Sequence, residues 1–354
     1  MKAEHLKIDE HTKLYNSIYK EIRSTLDLNP NKANQYFIGK AIFYGLFTVS
    51  SYSLIFLIEN PYLFALNFVV FGLLAVLLCF NFAHDLSHHA LLKKPFWNNV
   101  FFEFIYTMVG AHPEAWKDRH LHSHHFAPNV KHFDTDLAIS GIIRVIPDSD
   151  RKWFHKFQHL YAPLAYMTYS FYWVFIKDFY VVNHFKPKKK SQNLRYYFTF
   201  IFLKGCYLGY MLILPILFSK QPLWLILIAF LIMHMVQSLY TLFTFFITHH
   251  VENSVYPVAN EEGKINTSWF MNQIKSSNDF YPYSFTANFI FGGVNNHIAH
   301  HLFPHINHYN YPKVNLILFK RLREAGIEPN VSTYFSGVRS HLKHLKNMGK
   351  PSIS

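Results

Sequence analysis

The sequence predicts an all-α integral membrane fold: four transmembrane helices in two hairpins, capped by a cytoplasmic helical domain. Three observations predict it. Of 354 residues, 51% are hydrophobic, and these gather in four runs long enough to cross a bilayer, which takes about 20 apolar residues. The runs are joined in pairs by very short links, Glu59-Asn60-Pro61 and Ser219-Lys220-Gln221-Pro222. Three histidine clusters flank the runs, all on the side to which each hairpin returns the chain.

Residues 1–36 are polar and charged, without the apolar core of a cleaved signal. They read as a cytoplasmic N-terminal segment, with the first span as an uncleaved insertion signal. The membrane domain is expected over 37–325, with spans at 37–58, 62–83, 196–218 and 223–248. Phe101–Gly110 is too short to span and is placed at the interface. The stretch 160–182 is apolar enough to cross, but a single crossing would strand His249 and the third cluster opposite the first two. Its tyrosines and Lys177-Asp178 suit an interfacial helix. Residues 326–354 read as a cytoplasmic tail. Lys93, Lys94, Lys186, Lys188, Lys189, Lys190, Lys320, Arg321 and Arg323 crowd the histidine side, against Lys220 opposite, which makes that side cytoplasmic. The tract 186–190 reads as an anchor for anionic lipid.

The net charge of +13 therefore reads as a membrane-facing surface, and no nucleic-acid module accompanies it. Aromatic residues reach 19%, with 37 Phe and 23 Tyr. Cys79 and Cys206 lie in apolar runs and read as reduced core residues. There is no Walker-type loop, no GxGxxG and no CxxC. Polar residues at membrane depth are costly. His234 and Gln237 either form an interhelical hydrogen bond or line the inner end of a substrate channel. Lys204 is expected to snorkel.

The histidines carry the chemistry. The first cluster is His84-Asp85-Leu86-Ser87-His88, with His89 adjacent. The second is His120-Leu121-His122-Ser123-His124-His125. The third is His297-Ile298-Ala299-His300-His301, and His249 stands upstream of it. A histidine repeated at i, i+4 puts two imidazoles on one helix face, and imidazole suits Fe, Zn, Cu and Ni. His5, His11, His341 and His344 lie in polar terminal segments and carry no signal.

The order HDxxH, HxxxHH, HxxHH, interleaved with two hairpins, resembles the membrane fatty acid desaturase family. So do Trp116-Lys117-Asp118-Arg119 before the second box, Asp134-Thr135-Asp136-Leu137 after it, and Phe157-Gln158-His159-Leu160-Tyr161. His249-His250-Val251-Glu252 and Gly292-Gly293-Val294-Asn295-Asn296 leading into His297 complete the likeness, which covers roughly residues 37–325. The resemblance implies two non-haem iron ions, with O2 as co-substrate, held by His84, His88, His120, His124, His125, His249, His297, His300 and His301. Asp85, Asp118, Asp134, Asp136 and Glu252 are candidates to receive the second N–H of those imidazoles. His159 is a candidate additional ligand or outer base. His89, His122 and His250 are expected to be solvated or hydrogen-bonded. In the branch that cuts near the carboxyl end the third box commonly begins with Gln, where this chain has His297.

The implied reaction removes two hydrogens from a fatty acyl chain carried on CoA, carrier protein or glycerolipid. Some family members carry a fused b-type cytochrome with a His-Pro-Gly-Gly motif. That motif is absent here, so a separate donor is implied, ferredoxin or a free b-type cytochrome, docking on the basic face. A bacterial inner membrane is the implied location. A di-iron hydroxylase on the same scaffold is the alternative reading. A histidine-rich metal transporter or sensor is disfavoured, because the clusters sit outside the spans.

Overall fold

The computed structural model describes residues 3–28, 30–137, 141–184 and 190–351; Lys186, Lys188 and Lys189 of the basic tract lie outside them. Among the described residues, four helices are long and apolar enough to cross a membrane: Asn31–Leu57, Pro61–Ser87, Leu194–Phe218 and Leu223–His249. Each corresponds to one expected run. The first hairpin link is built as its sequence dictates. Asn60 accepts from the N–H groups of Tyr62 and Leu63 at 3.0 and 3.1 Å, and Pro61 opens the helix where no N–H is needed. Lys220 pairs with Glu59, and Gln221 Nε2 donates to the Ile58 carbonyl at 2.9 Å, so the two links are tied together.

The chain divides into two compact units. The membrane unit comprises Gln35–Lys117 and Pro163–Leu242. Its core is aromatic and aliphatic: Phe64, Phe68, Phe71, Tyr207, Met211, Ile226 and Phe230 are buried. A Cβ added at Gly72 would meet Met233 Cγ at 2.4 Å, so only glycine lets these two spans approach so closely. Residues such as Leu46, Val49, Leu57, Leu217 and Phe218 point outward, as a lipid-facing surface requires. Cys206 is exposed as well, not in the core. The helix Pro95–Met108 leaves Phe96, Trp97, Phe101 and Phe104 exposed on one face. The stretch 160–182 is broken at Thr168 into Gln158–Met167 and shorter helical pieces ending in Asp178–His184, none of span length.

Two polar residues of this unit behave in definite ways. Lys204 does not snorkel. Its ammonium donates to Asp178 Oδ2 at 2.7 Å, to the Val174 carbonyl at 2.8 Å and to the Gly110 carbonyl. His234 is fully buried, with Nδ1 2.8 Å from Ser170 Oγ and Nε2 2.8 Å from Tyr207 OH, while Gln237 Nε2 lies 3.0 Å from Nδ1. Every ring nitrogen is engaged, which is the interhelical hydrogen-bond reading.

The second unit comprises Met1–Asn34, Asp118–Ala162 and Phe243–Ser354. Helices Asp9–Thr25, Trp269–Lys275, His297–Leu302 and Tyr311–Glu324 enclose its core, with Ile18, Ile22, Ile274, Phe303, Val314, Leu318 and Phe319 buried. Tyr15 and Tyr19 both stack on Phe303, at 5.6 and 5.7 Å between ring centres. Two short parallel pairings close the edges, Glu4–His5 with Lys264–Ile265 and Asp279–Phe280 with Val331–Ser332. The helix Tyr334–Met348 starts at a Thr333–Ser336 capping box and turns His341, His344 and Leu345 inward.

Candidate metal centre

The third histidine box lies on a helix of six residues, His297–Leu302, too short to hold itself together. Its first turn is satisfied from outside: the Ile298 N–H donates to Asp279 Oδ1 at 2.8 Å. Asn315 Nδ2 donates to Asp279 Oδ2 at 2.9 Å and to Asn296 Oδ1 at 2.7 Å. Burial pushes the Asp279 carboxyl up to about 7, against the pull of these donors. The turn entering the helix needs glycine: Gly293 has φ +82°, and a Cβ there would lie 2.3 Å from His308 Cβ.

The second box departs from the α turn that its HxxxH spacing predicts. His120–His124 forms a π turn, closed by the His125 N–H donating to the His120 carbonyl at 3.0 Å. Opening the register by one residue turns His120, His124 and His125 inward, while the His122 side chain stays 77% exposed. Ser123 pins the turn, donating to the Phe133 carbonyl at 2.6 Å and accepting the Thr135 N–H at 2.7 Å. His249 closes the helix Leu223–His249.

Seven of the predicted ligands meet in this unit. The ligand atoms of His124, His249, His297 and His301 all lie within 4.8 Å of one another, and all four residues are buried. Their Nε2 atoms form a chain: 3.0 Å from His124 to His249, 2.6 Å from His249 to His297, 3.1 Å from His297 to His301. Beside them, His125 Nε2 stands 3.1 Å from His120 Nε2 and 2.9 Å from His300 Nε2. The Nδ1 atoms of four of these histidines face partners on the other side. That of His249 faces the Ser276 carbonyl at 2.9 Å, that of His124 faces Asp134 Oδ2 at 3.1 Å, that of His301 faces Gln273 Oε1 at 2.8 Å, and that of His300 faces Tyr311 OH at 3.3 Å.

That orientation fixes the proton of His249. A carbonyl only accepts, so His249 must carry its proton on Nδ1. A neutral imidazole has one N–H, which leaves a bare lone pair on Nε2. Burial, with His125 and His297 crowding it, holds His301 well below the usual range and therefore neutral. Burial pulls His124 down too, but Asp134 and Asp136 together outweigh it and leave that pKa raised. His249 and His301 therefore turn lone pairs toward His297 Nε2, at 2.6 and 3.1 Å, an arrangement that a divalent cation among them would satisfy. The donor set, all imidazole, with the outer nitrogens of His124, His249, His300 and His301 each facing an oxygen, fits divalent iron.

The first box belongs to the membrane unit. His84 and His88 end the second span just after a π turn at Cys79–Ala83, with ring centres 5.5 Å apart and planes at 84°. Among the outer candidates, Asp134 serves His124. Asp136 lies 4.0 Å from Arg119, Asp118 is at the surface 3.9 Å from His122, and Glu252 pairs with Lys343 at 2.8 Å. Among the described residues, His159 joins none of the imidazole groups. His250 is buried and bonded to Tyr256 OH at 2.9 Å. Gln273, Ser276, Asp279 and Tyr311 escaped the sequence reading. No motif marks them, since three act by backbone or neutral groups from other segments.

Residues 60–347 match the fatty acid desaturase family. The chain belongs to that family. An oxidoreductase of fatty acyl chains, integral to a membrane, is what the family describes. Over 309 residues the chain is 29% identical to the acyl-lipid (8-3)-desaturase of Physcomitrium patens, covering 85% of this chain and 64% of that protein. Over 311 residues it is 28% identical to the sn-1 linoleoyl-lipid 6-desaturase of Synechocystis, covering 84% of each. Over 372 residues it is 27% identical to the Delta(5) fatty acid desaturase A of Dictyostelium discoideum, covering 98% of this chain and 77% of that one.

Proposed function

We propose that this chain is an O2-dependent acyl-lipid desaturase, inserting a double bond near the carboxyl end of an acyl chain carried on a glycerolipid. The observation that carries the reading is the buried imidazole cluster, its Nε2 atoms turned toward one another and four of its Nδ1 atoms facing oxygens on the other side. Two irons would be held by His84, His88, His120, His124, His125, His249, His297, His300 and His301; the resemblance of the boxes brings in His84 and His88. Iron there supplies dioxygen activation, and the chain supplies ligand position and a dry enclosure. Asp134, Ser276, Gln273 and Tyr311 fix the ring orientations. The reaction balances as –CH2–CH2– plus O2, two electrons and two protons giving –CH=CH– and two waters. The electrons come from a separate one-electron carrier, a ferredoxin or b-type cytochrome, on the basic cytoplasmic face of a bacterial inner membrane. The choice of lipid carrier and of carbon 5 or 6 is supported by the names of the relatives.

The test is expression in a bacterial host with an electron donor, beside a His300→Ala/His301→Ala variant. Fatty acid methyl esters are analysed by gas chromatography–mass spectrometry with the double bonds located by derivatisation. A new double bond at carbon 5 or 6, lost in the variant, is the expected result. A hydroxylated product would instead make the chain a hydroxylase.

A further inference from the structure

The geometry points to Asn129 as the positioning residue that sets the spacing between two of the metal-facing histidines, His124 and His249. This rests on the metal reading above. Asn129 is buried, and its backbone is left-handed at φ +60°, a conformation asparagine tolerates better than most side chains. From that conformation it reaches two ways. Its backbone N–H donates to Asp134 Oδ2 at 3.0 Å, the same oxygen that faces His124 Nδ1 at 3.1 Å. Its carboxamide Nδ2 donates to the carbonyl of His249 at 3.0 Å, and shares its second hydrogen between the carbonyls of Val255 and Ser276 at 3.3 Å each. The Ser276 carbonyl is the one that orients His249 Nδ1.

One residue therefore holds the acceptor of His124 with its backbone, and both the backbone of His249 and the acceptor of its ring with its side chain. The two ligands come from segments 125 positions apart, yet their Nε2 atoms stand 3.0 Å from each other. Among the described residues of this unit, only Asn129 is hydrogen-bonded to both the Asp134 carboxylate and the Ser276 carbonyl. Orientation of ring N–H acceptors tunes metal affinity, and losing such a partner costs about 10–100-fold. The side chain must be a short amide. Glycine keeps the backbone arm and deletes the other; aspartate keeps the size but sets a carboxylate against three carbonyl oxygens.

The experiment is titration of the purified full-length protein in detergent with cobalt(II), whose visible absorption reports coordination geometry, for the wild type, Asn129→Gly and Asn129→Asp. Thermal melting of the metal-free proteins is measured alongside. The wild type is expected to take two equivalents. Asn129→Gly is expected to weaken one of them by about 10–100-fold with an altered spectrum, to spare the other, and to melt close to the wild type without metal. Asn129→Asp is expected to be worse. Unchanged affinity and spectrum in Asn129→Gly would overturn the proposal. So would equal loss of both equivalents together with a collapsed melting temperature, since that marks a merely structural residue. A wild type that takes up no cobalt would instead remove the metal reading itself.

Discussion

His341 donates from Nδ1 to the His250 carbonyl at 2.7 Å and lies fully buried, with Phe246 stacked on it at 5.2 Å. Burial drives its pKa down to about 3 and lowers that of His344 as well. In the unfolded chain both would titrate near the ordinary value of 6.5. Below that value the unfolded state takes up protons that the folded state refuses until about pH 3, so stability is lost as pH falls through this window. For His341 alone the loss is about 2 kcal/mol by pH 5. The melting temperature of the metal-free protein is expected to fall between pH 7 and pH 5, and His341→Gln, which keeps the donor but not the titration, should make that slope shallower. An unchanged slope would clear His341 of the effect. The sequence reading gave these two histidines no weight because their neighbours are polar. The overlooked signal was spacing: Gly337, His341, His344 and Leu345 recur at helical intervals on the buried face of Tyr334–Met348.

Among the elements, the spans were the most legible part of the chain. In a bilayer an apolar run of about 20 residues has one solution, because every backbone group must be satisfied within the segment. The histidine boxes were legible as residues but not as geometry. Whether a turn closes at i+4 or i+5 depends on one shifted hydrogen bond, and no residue pattern around His120–His124 encodes that shift. Lys204 was misread because its partner sits 26 positions back on another helix. It is bonded to Asp178, which also accepts the Trp173 indole N–H at 2.9 Å and the His112 N–H at 2.8 Å. Lys204→Met strands a buried carboxylate, which costs about 3–5 kcal/mol. The expected result is a steep drop in melting temperature in detergent, partly recovered in the double variant Lys204→Met/Asp178→Asn. Equal losses in the single and double variants would mean that the ion pair is not what holds this helix.

At the scale of the molecule, the unit carrying seven of the predicted ligands is assembled from three stretches separated along the chain, Met1–Asn34, Asp118–Ala162 and Phe243–Ser354. Composition and hydropathy located the membrane unit but could not join these stretches, because tertiary pairing of polar segments leaves no period in a sequence. Gln158 makes the join visible: its Nε2 donates to the carbonyls of Arg144, at 2.9 Å, and Leu345, at 2.7 Å, so the middle stretch is closed by the last helix. A ribosome delivers these pieces in order. His120, His124 and His125 leave it more than two hundred residues before the helix Tyr334–Met348, and all four spans precede that helix too. The expected order is therefore insertion of the spans first and loading of the proposed iron site last, after synthesis is complete. A chain stopped after Asn330 is expected to insert in the membrane fraction yet retain no iron by elemental analysis; retention of wild-type iron would show that loading can run ahead of synthesis.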